Sequence, residues 1–542
     1  MWCDWKIWIL RIWNIHSENS LLSNLKKEMK LCDVLFDYSS RLAFNILYGA
    51  VERDDKNQTK NQKKILKSLL NKIQRTQFWK DFKLDKVCIS ENMYSDFCKN
   101  VPIFEYKDFR DYIELSKEKE NIIRPWKIRK FSASSWTTWN KKHIPVTNEA
   151  MKSTTKVWAY MFAEILRWYR WIHFLRWDFF PLTWTIQEDN GSYKVWDVSA
   201  LILLERKWAT ASRYSLPKSV LLNPKWEDKI KIVYEKLNEN RENTMVWVTS
   251  WAYEILNYIE TRNQKKFEKL VKNMELIIWW WVDVAPYMYY FKQHSIKYMW
   301  AYNASEWYFG YQDIINYNNS DWDAPYKLLT NHGIFYEFLE LNSDNFDDEW
   351  NVKKSAKAKP IWEINQIDIW KKFALIITTN AWLVRYLIGD VISFVDENLR
   401  FKIVWRTRQS INLKWEELME THVNSVIEKL SKDDGINITY YTIWPDSEDW
   451  PTSHEWVIEL EKKSDLSDKD LTEKIDSYLQ EINPDYKAKR KNDMLLKMPI
   501  IHIVKKWTFY SWMKSNNKLW SQVKVPKLSH KRVNLEEILK MK

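Results

Sequence analysis

The chain has 542 residues, 45% of them apolar, which sets it in the globular class with room for two or more domains and excludes disorder as the default. Its +12 net charge comes from 84 basic and 72 acidic residues that interleave along the chain, as in Lys56 to Lys67 and Lys462 to Lys474, the pattern of solvated helix faces and not of a nucleic-acid or membrane footprint. Glycine is almost missing, at 6 residues against 36 tryptophans, although the two together match an ordinary glycine share of roughly 7% plus a small tryptophan share.

The start, MWCDWKIWILRIWNIH, is broken by Asp4, Lys6 and Arg11, and no run approaches the ~18 apolar residues of a membrane span. Residues 1–28 read as an upstream extension, with the domain proper starting at Met29. Cys3, Cys32, Cys88 and Cys98 form no CxxC pair, so a reducing cytoplasm fits, and a structural zinc site or redox role does not. Residues 29–80 carry helical spacing, with Leu66, Leu69, Leu70 and Ile73 on one face and lysines opposite. Between about 120 and 400, the short β-rich runs LILLE, TMVWV, MELII, FALIITT and VISFV alternate with helical stretches. That alternation predicts an α/β domain. After Trp405, strands at Ile436 to Ile443 and Glu455 to Leu460 flank helices at Glu416 to Leu430 and Asp470 to Ile482. The expected architecture is a large α/β domain over 29–405 with mixed sheets, followed by a small α+β domain over 406–542.

Three segments carry candidate chemistry. Phe131 to Pro145, FSASSWTTWNKKHIP, becomes FSASSGTTGNKKHIP if Trp136 and Trp139 stand at glycine positions. In that form Ser134, Ser135, Thr137 and Thr138 supply hydroxyl donors around a triphosphate, glycine lets the backbone approach, and Lys142 counters phosphate charge. The spacing is not that of a Walker loop, and a Ser/Thr surface turn has the same composition. Ala301 to Gly310, AYNASEWYFG, places Tyr302 to stack on an adenine, Ser305 beside the nucleotide, and Glu306 to hold Mg2+ directly or through water. A helix cap followed by an acid gives the same Ser-Glu pair. The third segment, Ala381 to Val391, ends a strand at Asp390, suited to both ribose hydroxyls, and Arg406 follows to address ribose or phosphate. A glycine at position 405 would add a pivot between the domains.

The order of these segments, an SSGTTG-like loop, YNASEG, RYxxGDV and GRxxxxINxxGEEL, resembles the auxin-responsive-promoter family of acyl acid amido synthetases over roughly residues 29 to 530. The likeness extends through Gly333 to Phe338, Asn483 to Tyr486 and Leu519 to Leu528. Wherever a family segment expects glycine and lacks it, tryptophan stands instead: Trp79, Trp136, Trp139, Trp247, Trp280, Trp281, Trp307, Trp382, Trp405, Trp415, Trp507 and Trp520. Trp251, Trp456 and Trp512 fall where the family tolerates an aromatic. A gene that uses UGA as a glycine codon explains both groups. The rival, a tryptophan-rich binding surface, needs no loss of glycine.

The resemblance implies an adenylate-forming ligase that uses ATP and Mg2+ to activate a carboxylic acid and passes the acyl group to an amine, an amino acid by family habit. It implies phosphate binding by Ser134, Ser135, Thr137, Thr138 and Lys142, adenine at Tyr302, magnesium at Glu306, ribose at Asp390 and support from Arg406. Lys524, in QVKVP, would enter the site as the small domain closes, although a surface lysine reads the same. Lys527 departs from the arginine usual after that proline, which puts a bidentate contact there in doubt. The expected partners are small-molecule acid and amine substrates, with no nucleic acid and no membrane, acting on a monomer. Two other readings stay open: a thioester ligase using coenzyme A or a carrier, and a catalytically dead binding protein if the tryptophans are literal. His143, His332 and His454 lack ligand spacing and read as loop or core residues.

Overall fold

The computed structural model describes residues 20–133, 142–172, 179–182, 186–189, 191–196, 198–205, 216, 220, 223, 226–237, 243–280, 290–315, 324–347, 351–406, 410–411, 418–445, 453–462, 464, 466–483, 486–487, 490, 496–516, 525, 527–528 and 532–541. In chain order its strands are β1 (Lys130–Ala133), β2 (His143–Pro145), β3 (Phe179–Pro181), β4 (Ile186–Asp189), β5 (Lys194–Trp196), β6 (Asn243–Val248), β7 (Met274–Trp280), β8 (Tyr298–Ala304), β9 (Trp307–Tyr311), β10 (Tyr326–Leu328), β11 (Ile334–Glu340), β12 (Lys359–Pro360), β13 (Lys372–Thr379), β14 (Tyr386–Phe394), β15 (Arg400–Arg406), β16 (Ser410–Ile411), β17 (Leu418–Met419), β18 (Ile438–Pro445), β19 (His454–Leu460) and β20 (Ile500–Val504). Four of the five runs expected as strands lie in β6, β7, β13 and β14. The fifth, Leu201 to Glu205, lies in the helix Val198–Glu205. That run is apolar at every position before its glutamate, so it carries neither period, and its length alone does not choose between helix and strand.

An 11-stranded sheet dominates, in the order β12-β11-β13-β14-β15-β10-β9-β8-β7-β6-β3. One half, β3-β6-β7-β8, is parallel, and β8 is buried at every position before Ala304, as expected of a parallel strand covered on both faces. From β8 onward every pairing is antiparallel. The sheet coils strongly. β8 and β14 are four strands apart, about 19 Å on a flat sheet, yet Tyr302 and Asp390 on them meet at 2.5 Å. Right-handed twist accumulated over several strands produces such a curl.

Helices cover the sheet. Gln58–Lys72 buries Ile65, Leu66, Leu69 and Leu70, the face expected from its spacing, and is stitched to the sheet by Gln62. The Gln62 amide donates to the carbonyls of Thr330 and Ile334 and accepts from Tyr336 N at 2.9 Å, so a fully buried amide is satisfied on both sides. The helix Asn148–Trp168 starts at Thr147, whose Oγ1 accepts from Ala150 N at 3.0 Å while donating to the Asn380 carbonyl at 2.9 Å. One threonine thus caps the helix and ties it to the turn that follows β13.

The C-terminal part builds a separate three-stranded sheet, β18-β19-β20, packed by the helices Glu420–Asp434 and Asp468–Ile482. Its apolar clusters, centred on Val426, Trp456 and Leu479 and on Trp444, Phe509 and Trp512, share no residue with the clusters of the large sheet. Among the described residues no helix is long and apolar enough to cross a membrane.

Candidate active site

β8 ends at Ala304, Ser305 and Glu306 make a tight turn, and β9 begins at Trp307. Tyr302 lies on the inner side of the curl. Its ring is 0% exposed and packs on Phe309, Tyr326 and Phe401 at centroid distances of 5.1, 5.7 and 5.8 Å, and its hydroxyl donates to Asp390 Oδ2. The adenine-stacking role expected of Tyr302 finds no open ring face here. A tyrosine at an inward sheet position buries its ring and needs a polar partner for its hydroxyl, and Asp390, 1% exposed on β14, supplies it.

Four residues after Tyr302 comes Glu306, a carboxylate only 6% exposed. One partner of this carboxylate is a residue that the sequence did not single out. Tyr386, first in β14 and 0% exposed, shares a hydrogen bond with the Glu306 side chain, and burial, then the Glu306 charge, push its hydroxyl pKa well above the usual range. The same hydroxyl accepts from Lys142 Nζ at 3.2 Å. Lys142 also lies over the rings of Tyr106 and Tyr386, at 5.4 and 5.7 Å, a cation–π setting. Tyr106 in turn accepts from His143 N at 2.8 Å, fixing the chain just past the hydroxyl-rich segment. Lys142, Glu306 and Tyr386 therefore converge, and Tyr302 and Asp390 form a second pair linking the same two stretches of chain.

The other candidates distribute as follows. Ser305 sits in the turn, partly exposed. Arg406 pairs through its backbone with Asp390 across β14 and β15; its side chain lies outside the described residues. So do Ser134, Ser135, Thr137, Thr138 and Lys524, together with Trp136, Trp139, Trp415 and Trp520. Among the described residues no three His, Cys, Asp or Glu side chains gather as a metal cage. A single buried carboxylate suits Mg2+ that arrives with ATP, since that ion keeps several waters and takes the rest of its ligands from phosphates. Asp390 is covered, so a ribose would reach it only after neighbouring side chains move.

Indoles crowd the same region. Trp307 has φ 137° and Trp382 has φ 74°, both in the range that L side chains rarely adopt. Each is 1% exposed, and Trp307 donates through Nε1 to Ser153 Oγ at 3.1 Å. Glycine at these two positions would relieve the backbone. His332 and His454 are core residues, 5% and 1% exposed, as expected.

By sequence, residues 48–277 match the GH3 family N-terminal domain, 327–404 the central domain and 421–533 the C-terminal domain. The chain belongs to the GH3 family. This is the family that the motif order resembles. Among curated relatives, the indole-3-acetic acid-amido synthetase GH3.4 of Arabidopsis thaliana is 25% identical over 255 residues, 44% of this chain and 40% of the relative. The GH3.3 enzyme of the same plant is 24% identical over 238 residues, 42% of this chain and 38% of its own length. The matched part thus spans about two fifths of these curated relatives. In three dimensions the GH3.15 acyl acid amido synthetase superposes with a TM-score of 0.71 at 17% identity, covering 89% of this chain and 93% of that one. A 2-hydroxyisobutyryl-CoA ligase in its postadenylation state gives 0.54 at 9% identity, covering 89% and 92%. Likeness at these identities establishes the GH3 adenylate-forming fold, a mixed α/β body with a C-terminal domain.

Proposed function

We propose that the protein activates a carboxylic acid with MgATP and transfers the acyl group to an amine, an amino acid by analogy with its relatives. In the first step a carboxylate oxygen bonds to the α-phosphorus, the bond to the bridging oxygen breaks, and pyrophosphate leaves. In the second, the amine nitrogen bonds to the acyl carbon, loses a proton to solvent and expels AMP. The observation that carries this reading is the shared contact of Lys142 and Glu306 on the Tyr386 hydroxyl, directly after the hydroxyl-rich segment Phe131 to Lys141. It sets a cation for phosphate charge beside a carboxylate for the accompanying Mg2+. The catalytic work is positioning and charge stabilisation, with no covalent nucleophile. Ser134, Ser135, Thr137, Thr138 and Ser305 line the phosphates in this reading, Asp390 and Arg406 the ribose, and Lys524 comes in with residues 406–542 as a closing lid.

The function requires glycine at positions 136 and 139, where an indole would block the approach of phosphate. Support for a glycine-coding UGA extends beyond composition. Four of the positive-φ residues other than glycine are tryptophans: Trp307, Trp370, Trp382 and Trp507. Three of them are family glycine positions, whereas Trp251, Trp456 and Trp512, where an aromatic belongs, have no such backbone. Trp512 instead donates through its indole to Glu537 at 2.9 Å.

Two measurements test the proposal. Peptide mass spectrometry across Lys130 to Lys141 on protein from the source organism should find glycine at 136 and 139; tryptophan there would end both the recoding and the adenylating reading. With glycine confirmed, acid-dependent exchange of labelled pyrophosphate into ATP should appear across a carboxylic acid panel, followed by AMP release on addition of amino acids. Release with coenzyme A and none with amines would transfer the protein to the thioester ligases.

A further inference from the structure

We infer that Tyr386 is a positioning residue whose single hydroxyl fixes the Lys142 ammonium relative to the Glu306 carboxylate. The inference rests on the proposed MgATP site and adds a residue to it. Two stretches of chain exchange tyrosines for carboxylates: Tyr302 in the first donates to Asp390 in the second, and Tyr386 in the second bonds Glu306 in the first. In both stretches the tyrosine precedes the carboxylate by four residues. The two pairs differ in one respect. The Tyr302 hydroxyl serves Asp390, inside a shell of Phe309, Tyr326 and Phe401. The Tyr386 hydroxyl also accepts from Lys142, so it joins three segments: the chain after the hydroxyl-rich loop, the β8–β9 turn and β14.

A neutral hydroxyl suits this place. Its oxygen accepts from the ammonium while its proton goes to the carboxylate, so one group addresses both charges. Tyr386 is buried with no exposure, and it pairs in the sheet through Ile377 and in a parallel bridge with Phe104. The hydroxyl is therefore anchored by backbone on both sides.

The test uses the full-length chain from a gene rewritten to reproduce the natural protein, and compares Tyr386→Phe with Tyr302→Phe. Lys142 reactivity toward trace acetic anhydride is read by peptide mass spectrometry, without any need for turnover. Loss of a hydrogen bond to a charged group is expected to raise the Lys142 rate about tenfold in Tyr386→Phe, and to leave it unchanged in Tyr302→Phe, where an equally buried hydroxyl is removed. Pyrophosphate exchange, in parallel, should show the KM for MgATP rising about tenfold in Tyr386→Phe with kcat little altered. Equal Lys142 reactivity in unsubstituted protein and Tyr386→Phe, or an equal rise in both variants, would overturn the inference. Absence of exchange with every acid in the unsubstituted protein would strike the functional reading instead, and the labelling result would still decide the role of Tyr386.

Discussion

A buried histidine shows how far a single side chain can be read from its surroundings. His332 donates from Nε2 to the carbonyl of Tyr308 in β9 at 2.8 Å and is pushed down by burial to a pKa of about 4, from 6.5. Above pH 6.5 it is neutral in both folded and unfolded chain, and its contribution to stability is complete. As pH falls from 6.5 toward 4 the unfolded chain takes up a proton that the folded chain refuses, so stability declines, by on the order of 3 kcal/mol across the window. Urea unfolding at pH 7.5 and 4.5 should therefore show a smaller loss for His332→Gln than for the unsubstituted protein; equal losses would place the titration elsewhere. At this scale the sequence was partly legible. Glu306 and Asp390 announced themselves as carboxylates in tight motifs, whereas Tyr386 lay unnoticed within the same RYLIGD segment, because nothing in one dimension shows that its hydroxyl meets Lys142 from 244 residues away. The burial of the Tyr302 ring against Phe309, Tyr326 and Phe401 was hidden for the related reason that it depends on a sheet curled by distant pairings.

Among elements, a buried charged fork joins the helix Met93–Asn100 to the sheet. Arg385, 4% exposed, forks onto Glu337 of β11, fully buried, with Nε and Nη2 bonds of 2.9 to 3.1 Å. Its Nη1 donates to the Val101 carbonyl at 2.6 Å, and Tyr94 donates to Glu337 at 3.1 Å. The pair satisfies the end of the helix and the core of the sheet together. Removing the cation alone strands a buried carboxylate, so Arg385→Met should cost about 3–5 kcal/mol, while Arg385→Met with Glu337→Leu should recover much of that. Denaturant midpoints of the two variants check this, and equal losses would show that the geometry of the fork matters more than the orphaned charge. Periodicity placed the helix Gln58–Lys72 and strands β6, β7, β13 and β14, each of which had a clean alternation, a one-sided apolar face or flanking turns. It misplaced Leu201 to Glu205, where uniform hydrophobicity erased the signal.

For the whole molecule, the apolar clusters of the large sheet and of the C-terminal sheet have no member in common. Calorimetry of the full chain should resolve two unfolding transitions, the smaller belonging to residues 406–542; one transition that stays single after Trp456→Ala would show that the two bodies unfold as one. The order of the motifs was enough to place the chain in its family, and the coil of the sheet was not, since strand order and twist depend on pairings between distant segments.

The exchange of tyrosines and carboxylates between the β8–β9 stretch and β14 also acts as a spelling check on the chain. Because a strand shifted by one residue turns its side chains to the opposite face, a single insertion or deletion between Tyr386 and Asp390, both within β14, would pull the two handshakes out of step. Within that stretch of β14 the number of residues matters more to the two contacts than the identity of those between.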